Sequence, residues 1–177
     1  MNSQKELLFT REKIHTRIKE LACQISEDYA DKEPVVIGVL NGVVFFLADL
    51  VREMTIPSKI DFIRAASYSS GDSSCGSVRF TKDLEMPIKN KPVILVEDII
   101  DTGLTIAKTV DLLREKGPES IKICVLIDKL ERRDVEVAID YYGFKVAEGF
   151  LIGYGLDYNE EYRYLPDIYK IKGKQTS

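Results

Sequence analysis

Twice along this chain an unbroken, β-rich apolar run gives way to a turn and then to a helical pattern, and a third such run follows the second helix. "PVVIGVL" (34–40) is broken at Gly42 and followed by "VVFFLADLVREM" (43–54), which has helical length and periodicity. "PVILVED" (92–98) runs into a Thr-Gly turn and a helix from about Thr105 to Lys116, stopped by Gly117-Pro118, before "IKICVLID" (121–128). Strands with no polar alternation need cover on both faces, so the pattern predicts an α/β fold with a parallel sheet and helices on both faces. A further strand, "KIDFIRAASY" (59–68), leads into "SSGDSSCGS" (69–77), which has no apolar face to bury and reads as a mobile loop. Near the N-terminus Ile14, Ile18, Leu21 and Ile25 recur at helical spacing between Thr10, a plausible N-cap, and Ala30. Past Arg133, "VAIDYY", "GFLIGYG" and "DIYKI" are short and strand-like, which suggests a region appended to the main sheet over about 134–177. With 177 residues and neither repeat nor linker, the chain is expected to form one domain, 1–177.

Composition narrows the function classes. Apolar residues make up 45% and charged residues 31%, as in globular proteins, and a net charge of −4 leaves no general footprint for nucleic acid. The sequence shows neither a signal peptide nor a run long enough to span a membrane, so a cytoplasmic location is expected. Cys23, Cys75 and Cys124 have neither metal-ligand nor disulfide spacing, and Cys124 sits in an apolar run that reads as core. His15, the sole histidine, lies in a charged helical stretch and is expected at the surface.

The chemistry concentrates in "VILVEDIIDTGLT" (93–105), where Glu97, Asp98 and Asp101 precede a Thr-Gly turn at the end of a strand. A strand–loop–helix junction ordinarily receives an anion, and in an open parallel sheet ligands sit beyond the carboxyl ends of the strands. The turn matches neither G-x-G-x-x-G nor the Walker pattern. A ligand bearing both a phosphate and a vicinal diol reconciles the charges. Backbone N–H groups along Thr102-Gly103-Leu104-Thr105, with the two threonine hydroxyls, would take the phosphate. Glu97 and Asp98, acceptors when ionised, would take ribose hydroxyls directly or through Mg²⁺.

This segment resembles the phosphoribosyl-pyrophosphate signature of the type I phosphoribosyltransferases, in a form close to the hypoxanthine(-guanine) phosphoribosyltransferases. The resemblance extends over about residues 10–171 through "VLNG" (39–42), Ser67-Tyr68, Lys129 after a strand, and "GFLIGYGLDYNEEYR" (149–163), the last being similar to the 6-oxopurine branch. It implies purine salvage: transfer of the phosphoribosyl group from 5-phosphoribosyl-1-pyrophosphate to N9 of hypoxanthine or guanine, giving IMP or GMP and pyrophosphate, with Mg²⁺ as cofactor. A homodimer or homotetramer, and no nucleic-acid or membrane partner, are implied as well.

Residue by residue, the resemblance makes Asp101 the general base at the purine N7. It sets Glu97 and Asp98 against the ribose diol and the metal, and Lys129 on the purine 6-oxo group. Phe150 would stack on the base and Leu151 offer main-chain groups to its edge. Asp157 matches a second metal contact and Arg163 a pyrophosphate contact, while Ser67 and Tyr68 would move with a lid over about 69–77. Where relatives commonly read Leu-Lys-Gly this chain has Leu40-Asn41-Gly42, so the pyrophosphate turn made by Asn41 and Gly42 lacks one positive charge. In the family that peptide can be cis. Preference among hypoxanthine, guanine and xanthine stays open, since the 2-position is expected to be read by main-chain groups.

Overall fold

The computed structural model describes residues 5–68 and 77–171. Strand β1 (Lys5–Phe9) precedes helix α1 (Arg11–Asp28), β2 (Val35–Leu40), α2 (Val44–Glu53), β3 (Lys59–Tyr68) and β4 (Ser77–Lys82). Then come β5 (Pro92–Ile100), α3 (Leu104–Glu115), β6 (Ser120–Lys129), β7 (Tyr141–Val146), β8 (Phe150–Ile152) and β9 (Ile168–Ile171). Thr10 caps α1 as expected, its hydroxyl accepting from the Lys13 N–H. Residues 69–76 of the expected lid, and the side chains of Ser67 and Tyr68, lie outside the described residues.

The central sheet has the order β4-β3-β2-β5-β6-β7, parallel except for the β3–β4 pair. Along β2 and β5 successive side chains point to opposite faces, and both faces are dry. Val36, Ile94 and Val96 pack with Ile18, Leu21 and Ile25 of α1 and Phe46 and Leu50 of α2. Val35, Ile37, Val93 and Leu95 face Ile106, Val110 and Leu113 of α3. Full burial of each such side chain contributes about 1.5–3 kcal/mol, and this is why the strands read as continuous apolar runs. Cys124 is fully buried in the first of these cores, whereas His15 is exposed, 3.7 Å from Glu53.

Two sequence expectations change. The region after Arg133 is not wholly appended, because β7 pairs in parallel with β6 and forms one edge of the central sheet. The smaller sheet is three-stranded, in the order β1-β9-β8, and so draws a strand from the N-terminal end of the chain. Short strand-like segments carry no record of which edge they will complete. The unpaired edge of β6, with its backbone N–H and C=O groups, supplies the reason that β7 docks there.

Candidate active site

A cleft of about 910 Å³ opens beyond the carboxyl ends of β2, β5 and β6. It is lined by Asn41, Gly42, Glu97, Asp98, Asp101 through Thr105, Lys129, Phe150, Leu151, Asp157 and Arg163, every expected site residue apart from Ser67 and Tyr68.

On the floor, Glu97 and Asp98 belong to β5 itself and are 7% and 8% exposed. Burial raises the Glu97 carboxyl well above its ordinary range, and the adjacent Asp98 charge adds to the effect. Asp98 is raised too, again chiefly by burial, although it accepts from the Ile99 N–H at 2.9 Å. Two neighbouring carboxylates held out of water favour a cation.

Beyond them the chain turns at Gly103, whose φ of 87° is left-handed. A Cβ there would lie 2.4 Å from the Val135 carbonyl oxygen, so the turn is held against the segment after β6. The Thr102 carbonyl accepts from both Asp134 and Val135 N–H at 3.0 Å, closing the same contact. Helix α3 then begins with Gly103 as N-cap; the Leu104 N–H donates to Thr102 Oγ1 at 3.3 Å, and Leu104 through Ile106 line the cleft, which makes the helix start an anion-seeking element there.

Asp101 and Lys129 meet across the cleft. Lys129 Nζ lies 3.4 Å from Asp101 Oδ1 and 3.3 Å from Glu131 Oε2, and the lysine side chain is only 4% exposed. Asp101 Oδ1 is buried but accepts no hydrogen bond among the described residues. In the sequence Lys129 sits beside a run of charges; in the fold it is the last residue of β6, paired with Val146 of β7 and buried at the cleft.

The opposite wall comes from β8 and the turns after it. The Phe150 ring faces Tyr158 edge-on at 5.5 Å between centroids, and Leu151 is buried. Arg163 is closed on its own neighbourhood, with Nη1 donating to the Gly155 carbonyl at 2.7 Å and Nη2 2.8 Å from Asp157 Oδ1. The second Asp157 oxygen accepts from the Glu160 N–H at 2.9 Å. At the end of β2 the Leu40-Asn41 peptide is cis. Gly42 is packed so tightly that an added Cβ would sit 1.8 Å from Asp98 Oδ2, while one on Gly155 would sit 2.0 Å from the Gly42 oxygen.

Sequence reasoning missed several residues of this cleft, among them Arg64, Arg132, Asp134 and Glu160. Arg64 pairs in register with Leu40, a signal that exists only once β3 is known to lie beside β2.

Comparison with known proteins agrees with this architecture. A family model described as phosphoribosyl transferase domain matches residues 6–159. The hypoxanthine-guanine phosphoribosyltransferase of Aquifex aeolicus is 45% identical over 168 residues, and the hypoxanthine phosphoribosyltransferase of Salmonella typhimurium 43%, each match covering 94% of both chains. A crystal structure of a hypoxanthine phosphoribosyltransferase from Staphylococcus aureus superposes with a TM-score of 0.91 at 40% identity, covering 97% of this chain and 93% of that one. On the strength of a family model matched over most of its length, matches of 43–45% identity over nearly whole chains and a fold shared at a TM-score of 0.91, this protein belongs to the phosphoribosyl transferase family, among its hypoxanthine and hypoxanthine-guanine phosphoribosyltransferases.

Proposed function

We propose that this protein carries out purine salvage, transferring the 5-phosphoribosyl group from 5-phosphoribosyl-1-pyrophosphate to N9 of hypoxanthine or guanine and releasing pyrophosphate with IMP or GMP. The observation that carries the reading is the Asp101–Lys129 pair at 3.4 Å in a cleft walled by Phe150. A 6-oxopurine presents an acceptor, O6, beside N7 on one edge. A buried ammonium and a carboxylate side by side complement that edge: Lys129 donates to O6 and Asp101 accepts the proton that the base must lose. Adenine puts a donor where Lys129 also has only donors, so it is a poor substrate.

The ribosyl donor extends from that edge toward β5 and β2. Thr102 through Thr105 and the start of α3 take the 5′-phosphate, and Glu97 and Asp98 receive the ribose hydroxyls. Asn41 and Gly42 hold the diphosphate. Phe150 stacks on the base, Leu151 addresses its edge through main-chain groups, and closure of the segment with Ser67 and Tyr68 keeps water from the cationic ribosyl centre.

Mg²⁺ fits the donor set. Glu97 and Asp98 are adjacent, buried, oxygen-only ligands, and among the described residues no group of three or more His, Cys, Asp or Glu side chains gathers, so the remaining oxygens would come from substrate and water. When bound, the ion would neutralise charge on the departing diphosphate. Asp157 is a further contact, and Arg163 reaches the diphosphate by leaving its present partners. The reaction belongs to the cytoplasm, in a homodimer or homotetramer; no helix among the described residues is long and apolar enough to cross a membrane.

Initial rates with hypoxanthine, guanine, xanthine and adenine, each with the ribosyl donor and Mg²⁺, test this. Turnover of the 6-oxopurines far above adenine is expected, together with a fall in that ratio for Lys129→Gln, whose amide offers an acceptor as well as a donor. Adenine used as well as hypoxanthine would refute the reading.

A further inference from the structure

Backbone pairing between β5 and β6 ends at Ile100 and Asp128. Immediately beyond that point each strand delivers one of the two side chains read above as facing the purine edge, Asp101 and Lys129. Lys129 still pairs with Val146 of β7, but neither residue is paired across the β5–β6 seam, where both carbonyls find the same donor. Arg133 Nε donates to the Asp101 carbonyl at 3.1 Å, and Nη2 donates to the Lys129 carbonyl at 3.0 Å and approaches the Ile100 carbonyl at 3.4 Å. The same Nη2 meets Asp128 Oδ1 at 2.6 Å, and the guanidinium and carboxylate are 14% and 8% exposed. One planar side chain therefore spans the gap where the β5–β6 pairing stops.

We infer that Arg133 is a positioning residue for the transferase reaction, holding the backbone of Asp101 and of Lys129 in one frame so that base and 6-oxo donor meet the purine edge together. The inference rests on the reading of those two residues given under the proposed function. Arg133 itself reaches no reacting atom. Its acceptors are the main chain at the two residues that do, plus the buried carboxylate that fixes the guanidinium in place. Only a guanidinium suits this task, because five donors in a rigid fork can address carbonyls on two strands and a carboxylate at once. A lysine keeps the charge opposite Asp128 but offers a single nitrogen, so it preserves the ion pair while releasing one or both strand ends.

The test uses the intact enzyme with Mg²⁺ and the ribosyl donor. Arg133→Lys should unfold at nearly the wild-type temperature and bind free pyrophosphate within about threefold. It should lose roughly tenfold to a hundredfold in kcat/KM for hypoxanthine, the range for displacing a catalytic group by about 1 Å. In Arg133→Ala, guanidinium ion at about 10 mM should restore several-fold of the lost rate while the same concentration of sodium chloride restores none. If Arg133→Ala does not fold, Arg133→Lys decides alone. Placed on Asp101→Asn, Arg133→Lys should cost less than about threefold, since residues acting through one another are not additive. A fully additive double variant, or an Arg133→Lys enzyme within about threefold of wild type while Asp101→Asn is disabled, would overturn the brace alone. Asp101→Asn at wild-type turnover would overturn the reading of Asp101 and the brace with it.

Discussion

The turn after β5 and the turn after β2 lie side by side at the carboxyl edge of one sheet, yet they are built on opposite principles. The first carries its chemistry in side chains: Glu97 and Asp98 buried in the strand, Asp101 at the mouth with an oxygen that accepts no hydrogen bond among the described residues. The second carries almost none. Asn41 is exposed, and Gly42 matters because nothing larger fits between Asp98 and Gly155. A site of the first kind should tolerate isosteric change without unfolding and still lose function. A site of the second kind should register steric change in stability and ligand affinity together, because the packing is the function.

Removal of the proposed base tests the first half of that contrast most severely. Asp101→Asn should fold normally, since the side chain is 35% exposed and supports no hydrogen bond through Oδ1, yet turnover should fall by roughly 10²–10⁴-fold. Steady-state rates beside a thermal melt decide it; a loss of both stability and rate would mean that Asp101 is structural.

Gly42→Ala addresses the other turn. Its methyl group would overlap Asp98 Oδ2 at 1.8 Å and press the Gly155 oxygen at 3.0 Å. Overpacking of this kind costs about 1–3 kcal/mol, so pyrophosphate binding should weaken about tenfold to a hundredfold and the melting temperature should drop as well. Unchanged binding by calorimetry would show that the turn does not hold the diphosphate.

Asn41→Lys sharpens the comparison by adding side-chain chemistry where the second turn has little. If backbone groups do most of the holding, the new ammonium should tighten pyrophosphate and the ribosyl donor by only about 1 kcal/mol, or fivefold, and the gain should shrink as salt rises. The purine KM should stay put. No tightening for either ligand at low ionic strength would put position 41 outside the diphosphate pocket.

The smallest effect concerns the buried acids. Burial raises the Glu97 carboxyl above its ordinary value of 4.5, so the protonated form is favoured in the folded state. The stability this confers is complete below the ordinary value and is lost as the pH rises through the folded pKa. At about pH 7.5 the free protein should therefore bear a penalty that Glu97→Gln removes. A gain of about 1 kcal/mol would raise the melting temperature by about 2–4 °C, with the difference vanishing toward about pH 4. Melting curves at both pH values check this, and a variant less stable than wild type at pH 7.5 would show that the carboxylate is satisfied where it stands.

Much of the fold was legible because its signals are local. Thr10 followed by Ile14, Ile18, Leu21 and Ile25 spells a capped amphipathic helix, and residues 34–40, 92–98 and 121–128 are strands too apolar to face water. The acidic turn could be read for the same reason: Glu97, Asp98, Asp101 and Thr102 are near neighbours in the chain, so their chemistry is visible before folding. Strands β1 and β4 were not legible, and β7 was assigned to the wrong region, because five or six residues of modest apolar character become a strand only when an edge is there to receive them.

Arg133 shows the limit most sharply. In the sequence it is one charge in "DKLERRD", indistinguishable from Arg132 beside it. In the structure it is the donor that closes the gap between β5 and β6, because Asp101 and Lys129, 28 residues apart, lie just past the end of the β5–β6 pairing. Periodicity and the chemistry of adjacent residues were enough to predict a parallel sheet and to single out the acidic turn that lines the cleft at its carboxyl edge. Which strand lies beside which, how closely Gly42 meets Gly155, and which arginine is buried are set by long-range packing, where the same side chain is solvated or indispensable according to what the rest of the chain brings against it.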